Sequence, residues 1–138
     1  MLTLDESREA PLGSGSGHKI GIVAALSDPL FCEAIRMRLE SEPGVVVVGI
    51  VHQLAGAIDA ARDPRADVLI LGSALLANIS DETLGELQNV SAMVKLVLVS
   101  APSDTTSRRW ASTMRAVEVV SQLESPDRLL AATRSITP

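Results

Sequence analysis

The sequence predicts an α/β domain in which a parallel sheet of five strands lies between two layers of helices, a three-layer sandwich. Five short apolar segments alternate with segments whose apolar residues recur at helical spacing, and that alternation is typical of a doubly wound (βα)5 sheet with right-handed crossovers. Hydrophobic residues make up 46% of the chain and aromatic residues 1%. Such an aliphatic composition suits helices packed on a parallel sheet.

The five predicted strands are the apolar segments 19–26, 45–51, 67–71, 94–99 and 117–120. The second of these is apolar throughout, which favours a strand covered on both faces.

The predicted helices cover 28–41, 54–62, 81–90, 103–114 and a last segment that starts at Ser125-Pro126. Asp28-Pro29 opens the first, because Asp caps helices and Pro suits the first turn. The apolar positions at helical spacing are Leu30, Ala34, Ile35 and Leu39 in the first helix, Ala55, Ile58 and Ala61 in the second, and Leu129, Leu130 and Ala132 in the last.

Residues 1–17 are polar and end in a Gly-Ser repeat, so we expect a flexible tail there and one domain over 18–138. The glycines before Lys19 do not form a phosphate loop, because His18 interrupts the pattern and a strand follows where a helix is required.

Composition excludes several classes of function. The net charge of −5 argues against direct nucleic-acid binding by this domain. Cys32 is the single cysteine, no membrane-length apolar run or secretion signal is present, and a cytoplasmic location is expected. His18 and His52 lack other ligands at metal-binding spacing, so we expect no metal and no cofactor.

Several segments, in order, resemble the receiver domain of response regulators, most closely the LuxR/NarL type. Ser27-Asp28-Pro29-Leu30-Phe31 is similar to the stretch after the first receiver strand, and Val97-Leu98-Val99-Ser100-Ala101 to the fourth strand with its switch Ser/Thr. Similar matches are 39–49, 67–71 and 125–134, so that the resemblance covers residues 19–136. It implies a flavodoxin-like fold and a role in two-component signalling.

The phosphorylation site of that family is degenerate in this chain. The positions of the site are Leu26 and Ser27 for the acidic pair, Gly72 for the phospho-acceptor, Gln122 for the lysine, Val119 for the switch aromatic and Ser100 for the switch Ser/Thr. Only Ser100 keeps the family's residue type. Leu26 offers Mg²⁺ no oxygen, and Gly72 has no side chain with which to attack a phosphoryl donor.

Other residues near this site have simpler interpretations. Asp28 could be a metal ligand through a shift of one position, but an Asp-Pro pair at a helix start favours a cap. Cys32 is expected to be a small buried residue. Ser100 could pair with Asp104 or the backbone, and it has no histidine nearby in the sequence to activate it as a nucleophile.

The predicted helix over 103–114 carries a candidate partner surface. Its members are Arg108, Arg109, Trp110, Met114 and Arg115, with the acidic residues Glu118, Glu124 and Asp127 following in the chain. Trp and Arg are enriched at interface hot spots, and the family resemblance implies pairing through this face. Alternatively, Trp110 and Met114 are the buried stripe of a polar helix.

The sequence therefore predicts a receiver-like domain that is not an enzyme and that acts through a homodimer or a partner protein, as the regulatory part of an atypical transcription regulator. Two alternatives stay open: the receiver-like N-terminal domain of a pilus-assembly or polar-localisation ATPase, and a sensor whose emptied pocket binds a small molecule.

Overall fold

The strands form one parallel sheet. A computed structural model of the chain describes residues 19–77, 79–100, 118–121 and 126–135. The strands are β1 (Ile20–Ala25), β2 (Val45–Val51), β3 (Val68–Gly72), β4 (Lys95–Ser100) and β5 (Glu118–Ser121), in the order β2-β1-β3-β4-β5. All four neighbouring pairs are parallel. The predicted fold class is confirmed, because five parallel strands lie in one sheet with helices against it.

Helices cover both faces of this sheet. They are α1 (Pro29–Glu40), α2 (Leu54–Ala61), α3 (Asp81–Ser91) and α4 (Pro126–Ser135). One hydrophobic cluster lies between the sheet and α1 with α4, and a second lies between the sheet and α2 with α3. A short 3₁₀ helix, Ser73–Leu76, follows β3 and was not predicted. The helix predicted over 103–114 lies outside the described residues.

Asp28 caps α1, as its position before a proline predicts. Its carboxylate accepts hydrogen bonds from the backbone N–H groups of Leu30, at 3.0 Å, and Phe31, at 3.4 Å. These N–H groups have no partner within the helix, so the cap satisfies them and stabilises the first turn.

The buried sides of two helices differ from the apolar positions picked out by spacing. In α1 the buried residues are Cys32, Ile35 and Leu39, while Leu30 is 85% exposed and Ala34 is also exposed. In α2 the buried residues are Ala57, Ile58 and Ala61, whereas Ala55 is exposed. Both helices carry apolar residues on more than one side, and spacing alone does not show which side meets the sheet.

β2 is less covered than its apolar sequence predicts. Val45 is buried, Val46 is exposed, and the other five residues are half-buried. The reason is topological: β2 is an edge strand with one neighbour, β1, and its pairing with β1 shifts register between Ile22 and Val23. A bulge of this kind twists an edge strand.

Candidate functional site at the carboxyl edge of the sheet

The carboxyl ends of β1, β3 and β4 meet at one edge of the sheet, where ligands bind in open α/β folds. Ala25 pairs with Leu71, and Gly72 pairs with Val99, so the residues that follow β1 lie beside the end of β3. The cleft at this edge is lined by Leu26, Ser27, Asp28, Phe31, Gly72, Ser73, Ala74 and Val99. Three of the predicted site residues, Leu26, Ser27 and Gly72, are therefore brought together.

Leu26 and Gly72 fill adjacent space in this cleft. Gly72 has φ −75° and ψ 131°, an extended conformation that any residue adopts. Its lack of a side chain therefore matters for space rather than for backbone freedom. A Cβ placed on Gly72 would lie 3.2 Å from Leu26 Cδ2, and Leu26 itself is buried at 3% exposure. The end of the Leu26 side chain thus lies a few tenths of an ångström too close for a side chain at position 72 and would have to shift.

The backbone of Leu26 contacts the last residue of β2 and the residue that follows it. Its N–H donates to the carbonyl of Val51 at 3.2 Å, and its carbonyl lies 3.0 Å from Nδ1 of His52. Because a carbonyl can only accept, this contact requires the proton on Nδ1. The sequence offered His52 no partner ligands at metal-binding spacing, and its contact here is with the backbone of the cleft.

The cleft is small and offers few polar groups. Its free space is about 20 Å³, enough for about one water molecule. The Asp28 carboxylate caps α1, Ser27 is exposed, and Ser73 is buried. Within the described part of the chain, no three His, Cys, Asp or Glu side chains come together as a metal site.

The remaining residues of the degenerate site are described in part. Ser100 ends β4 and pairs with Ser121, while Val119 pairs with Leu98. Ser100 is half-buried, and Val119 packs at the border of the cluster beneath α2 and α3. Gln122 lies outside the described residues.

Asp127 is engaged by a residue that sequence reasoning missed. Arg38 Nε of α1 donates to Asp127 Oδ1 at 2.5 Å, and Arg38 Nη1 donates to Glu42 Oε1 at 3.1 Å. These hydrogen bonds raise the pKa of Arg38. The contact joins α1 to α4 across 89 positions of sequence, a separation at which local patterns carry no signal. Of the other predicted interface residues, Glu118 lies in β5, and Arg108, Arg109, Trp110, Met114, Arg115 and Glu124 lie outside the described residues.

Cys32 is buried in α1, as predicted, at 1% exposure. Burial, helped by the nearby Glu33 carboxylate, raises the pKa of its thiol, so the thiolate form is disfavoured. None of the helices described is long and apolar enough to cross a lipid bilayer.

No family model matches the sequence, and no curated protein matches it. Several solved structures match this chain. The signal receiver domain of the response regulator NarL from Mycobacterium tuberculosis is 18% identical, with a TM-score of 0.68 over 85% of this chain and 98% of that one. A LuxR-family response regulator from Aurantimonas sp. SI85-9A1 is 16% identical, with a TM-score of 0.70 over 86% and 84%.

The response regulator domain of CheB from Thermotoga maritima is 15% identical, with a TM-score of 0.68 over 88% of this chain and 100% of that one. The chain has the receiver fold. At these identities the likeness concerns the fold alone, and several neighbours that share it are response regulators, one of them of the LuxR family.

Proposed function

We propose that this receiver-fold domain no longer accepts a phosphoryl group and acts in signalling by binding proteins, as the regulatory part of an atypical response regulator. The observation that carries the proposal is the contact of Leu26 with Gly72. At the edge of the sheet where ligands bind in open α/β folds, the buried Leu26 side chain crowds the position from which an acceptor side chain would start.

The chemistry of the site supports this proposal. Attack on a phosphoryl donor needs an oxygen nucleophile, which Gly72 lacks. Mg²⁺ takes oxygen ligands in octahedral geometry, yet Leu26 provides no oxygen, and the Asp28 carboxylate already accepts two backbone hydrogen bonds. A buried lysine without acidic partners would destabilise the fold by several kcal/mol. The neutral Gln122 is therefore consistent with the joint loss of the lysine and the acidic residues.

Small-molecule sensing through the same cleft has less support. Ligand pockets usually enclose about 300 Å³ or more, whereas the cleft holds about 20 Å³. One fold neighbour is a two-component response regulator of the LuxR family. We therefore assign the domain to that kind of signalling and propose that its output is contact with other proteins. The surface predicted around Trp110 remains a prediction for those contacts.

The test is incubation of the full chain with radiolabelled acetyl phosphate, with and without Mg²⁺. We expect no label in the wild type or in Gly72→Asp, because restoring the acceptor alone returns no metal ligands. Asp28→Asn is the matched control for a shifted metal site, since it keeps an oxygen for the cap. Stoichiometric, Mg²⁺-dependent labelling of the wild type would contradict the proposal, and its loss in Asp28→Asn would identify the ligand.

A further inference from the structure

Helix α1 is apolar on two opposite sides. One side, formed by Cys32, Ile35 and Leu39, is buried against the sheet. The other side carries Leu30, which is 85% exposed, and Met37, which is 61% exposed, with the exposed Ala34 between them. Large apolar side chains that stand singly on a surface are normal, but these residues are one and two turns apart and form a stripe. We call Leu30, Ala34 and Met37 the outer stripe.

The spacing of the outer stripe is that of a helix-pairing seam. Its members are separated by four and then three positions, and Ser41, the residue that ends α1, follows after four more. Alternating steps of three and four keep a narrow row of side chains facing a second helix, as in coiled coils. The buried side of α1, with Cys32, Ile35 and Leu39, has the same spacing and packs on the sheet. The spacing therefore fits a helix as partner, and the flanking charges must identify it.

The charges beside the outer stripe favour a second copy of the same helix. In heptad terms, Glu33 and Glu40 flank the stripe on one side, and Arg38 flanks it on the other. When two such helices pair in parallel, the residue at Glu33 faces the position five residues later in the second copy. That position is Arg38, so the two flanks attract; an antiparallel pair would instead bring Glu33 close to the second copy's Glu40.

Ion pairs within one chain do not prevent these charges from pairing with a second chain. Arg36 binds both Glu33 and Glu40, and Arg38 binds Glu42 and Asp127. Several of these carboxylates are half or more exposed, and exposed pairs contribute little to stability. Apolar packing against the sheet and α4 holds α1 in place, so the outer stripe is presented on a helix that is already formed.

We propose that two copies of this domain associate through the outer stripe, with their α1 helices parallel about a two-fold axis. The inference rests on the proposed function, since it names the partner of a domain that signals by docking. A helix of 12 residues is about 18 Å long, so the contact is small and reversible when nothing else joins the two chains.

Cysteine cross-linking of the full chain tests the contact. In a parallel two-fold pair each stripe residue meets its own counterpart, so Ala34→Cys and Leu30→Cys should both form disulfide-linked dimers under mild oxidation. Asn89→Cys, exposed on α3, is the matched control and should not. In an antiparallel pair centred on Ala34, the two copies of residue 30 would be about 12 Å apart; cross-linking at 34 without cross-linking at 30 would therefore overturn the parallel arrangement.

Sedimentation at several concentrations gives a second measurement. Met37→Glu should weaken self-association about tenfold or more, because it places a charge in the seam, while Met93→Glu, at another exposed methionine, should leave it unchanged. Equal cross-linking of Asn89→Cys and Ala34→Cys would overturn the proposal. So would a dimer that survives Met37→Glu but is lost in Trp110→Ala, although the proposed function would then stand. Phosphoryl labelling of the wild type would overturn the proposed function alone.

Discussion

Gly72 and Leu26 make a packing pair whose energetics can be measured. We expect Gly72→Ala to change the free energy of unfolding by less than about 1 kcal/mol, because the backbone is ordinary and only the end of the Leu26 side chain must move. Gly72→Asp should lower it by about 2 kcal/mol or more, since the carboxylate enters a buried apolar site. Urea unfolding of both variants measures the difference.

The double variant Leu26→Ala/Gly72→Asp shows whether the two positions are coupled. Leu26→Ala leaves space and admits water, so the introduced aspartate should cost less in that background than in the wild type, by about 0.5–3 kcal/mol. An equal cost of the aspartate in both backgrounds would mean that Leu26 does not exclude it.

Asp63 makes stability depend on pH. Hydrogen bonds from the Arg65 side chain and backbone hold the pKa of Asp63 at about 2, below its ordinary 3.8. Because the pKa is lowered in the folded state, the stabilisation is complete above pH 3.8 and is lost as the pH falls from there through about 2. NMR titration of the Asp63 carboxyl should show the low pKa, and Arg65→Gln should return it towards 3.8. An unchanged titration in that variant would exclude the Arg65 side chain as the cause.

At the scale of elements, the turn between α2 and β3 closes over the start of β1. The Gly21 N–H donates to Asp67 Oδ2 at 2.9 Å, and the Asp67 N–H donates to the Gly21 carbonyl at 2.8 Å. Arg65, held by Asp63, brings its backbone carbonyl against Gly21: a Cβ there would lie 1.8 Å from that oxygen. Glycine is required because backbone, not a movable side chain, occupies the space.

We expect Gly21→Ala to lower the free energy of unfolding by about 3 kcal/mol or more, since the turn or the strand must shift. Gly85→Ala in α3 is the matched control. Apart from its chain neighbours and the backbone of α3 itself, no heavy atom of the described residues lies within 4 Å of a Cβ at Gly85. This change should therefore raise the free energy of unfolding by about 0.5–1 kcal/mol through helix propensity. Thermal or urea unfolding distinguishes the two, and similar effects at both sites would contradict the close approach at Gly21.

For the molecule as a whole, we expect a single conformation at the former switch. A two-state switch needs a ligand that binds its two states differently, and the proposed loss of the phosphoryl site removes that ligand. Val119 is β-branched and has no large ring to reorient. Beryllofluoride with Mg²⁺ should therefore leave the amide NMR spectrum unchanged, and Ser100→Ala should cost at most about 1 kcal/mol, one ordinary hydrogen bond. Shifts that spread from Gly72 to Ser100 and Val119 would show that a working switch survives.

Local patterns in the sequence were enough for much of the fold. The Asp28 cap depends on a neighbouring N–H group, and each strand consists of its own run of apolar residues. Both features could therefore be predicted from nearby positions in the sequence. The apolar side of the last helix, with Leu129, Leu130 and Ala132, is buried as expected. The family resemblance assigned Leu26 and Gly72 to the same site, without showing how closely they lie.

By itself, the sequence determined the alternation of strands and helices and the non-acidic residues Leu26, Ser27 and Gly72, because these properties belong to the chain's own residues. Tertiary structure decided which side of α1 is buried, that β2 lies at an edge, and that Arg38 reaches Asp127. It also decided that Leu26 fills the space beside Gly72. These features depend on contacts between distant segments, and a residue's propensity does not encode which distant backbone or side chain will arrive beside it.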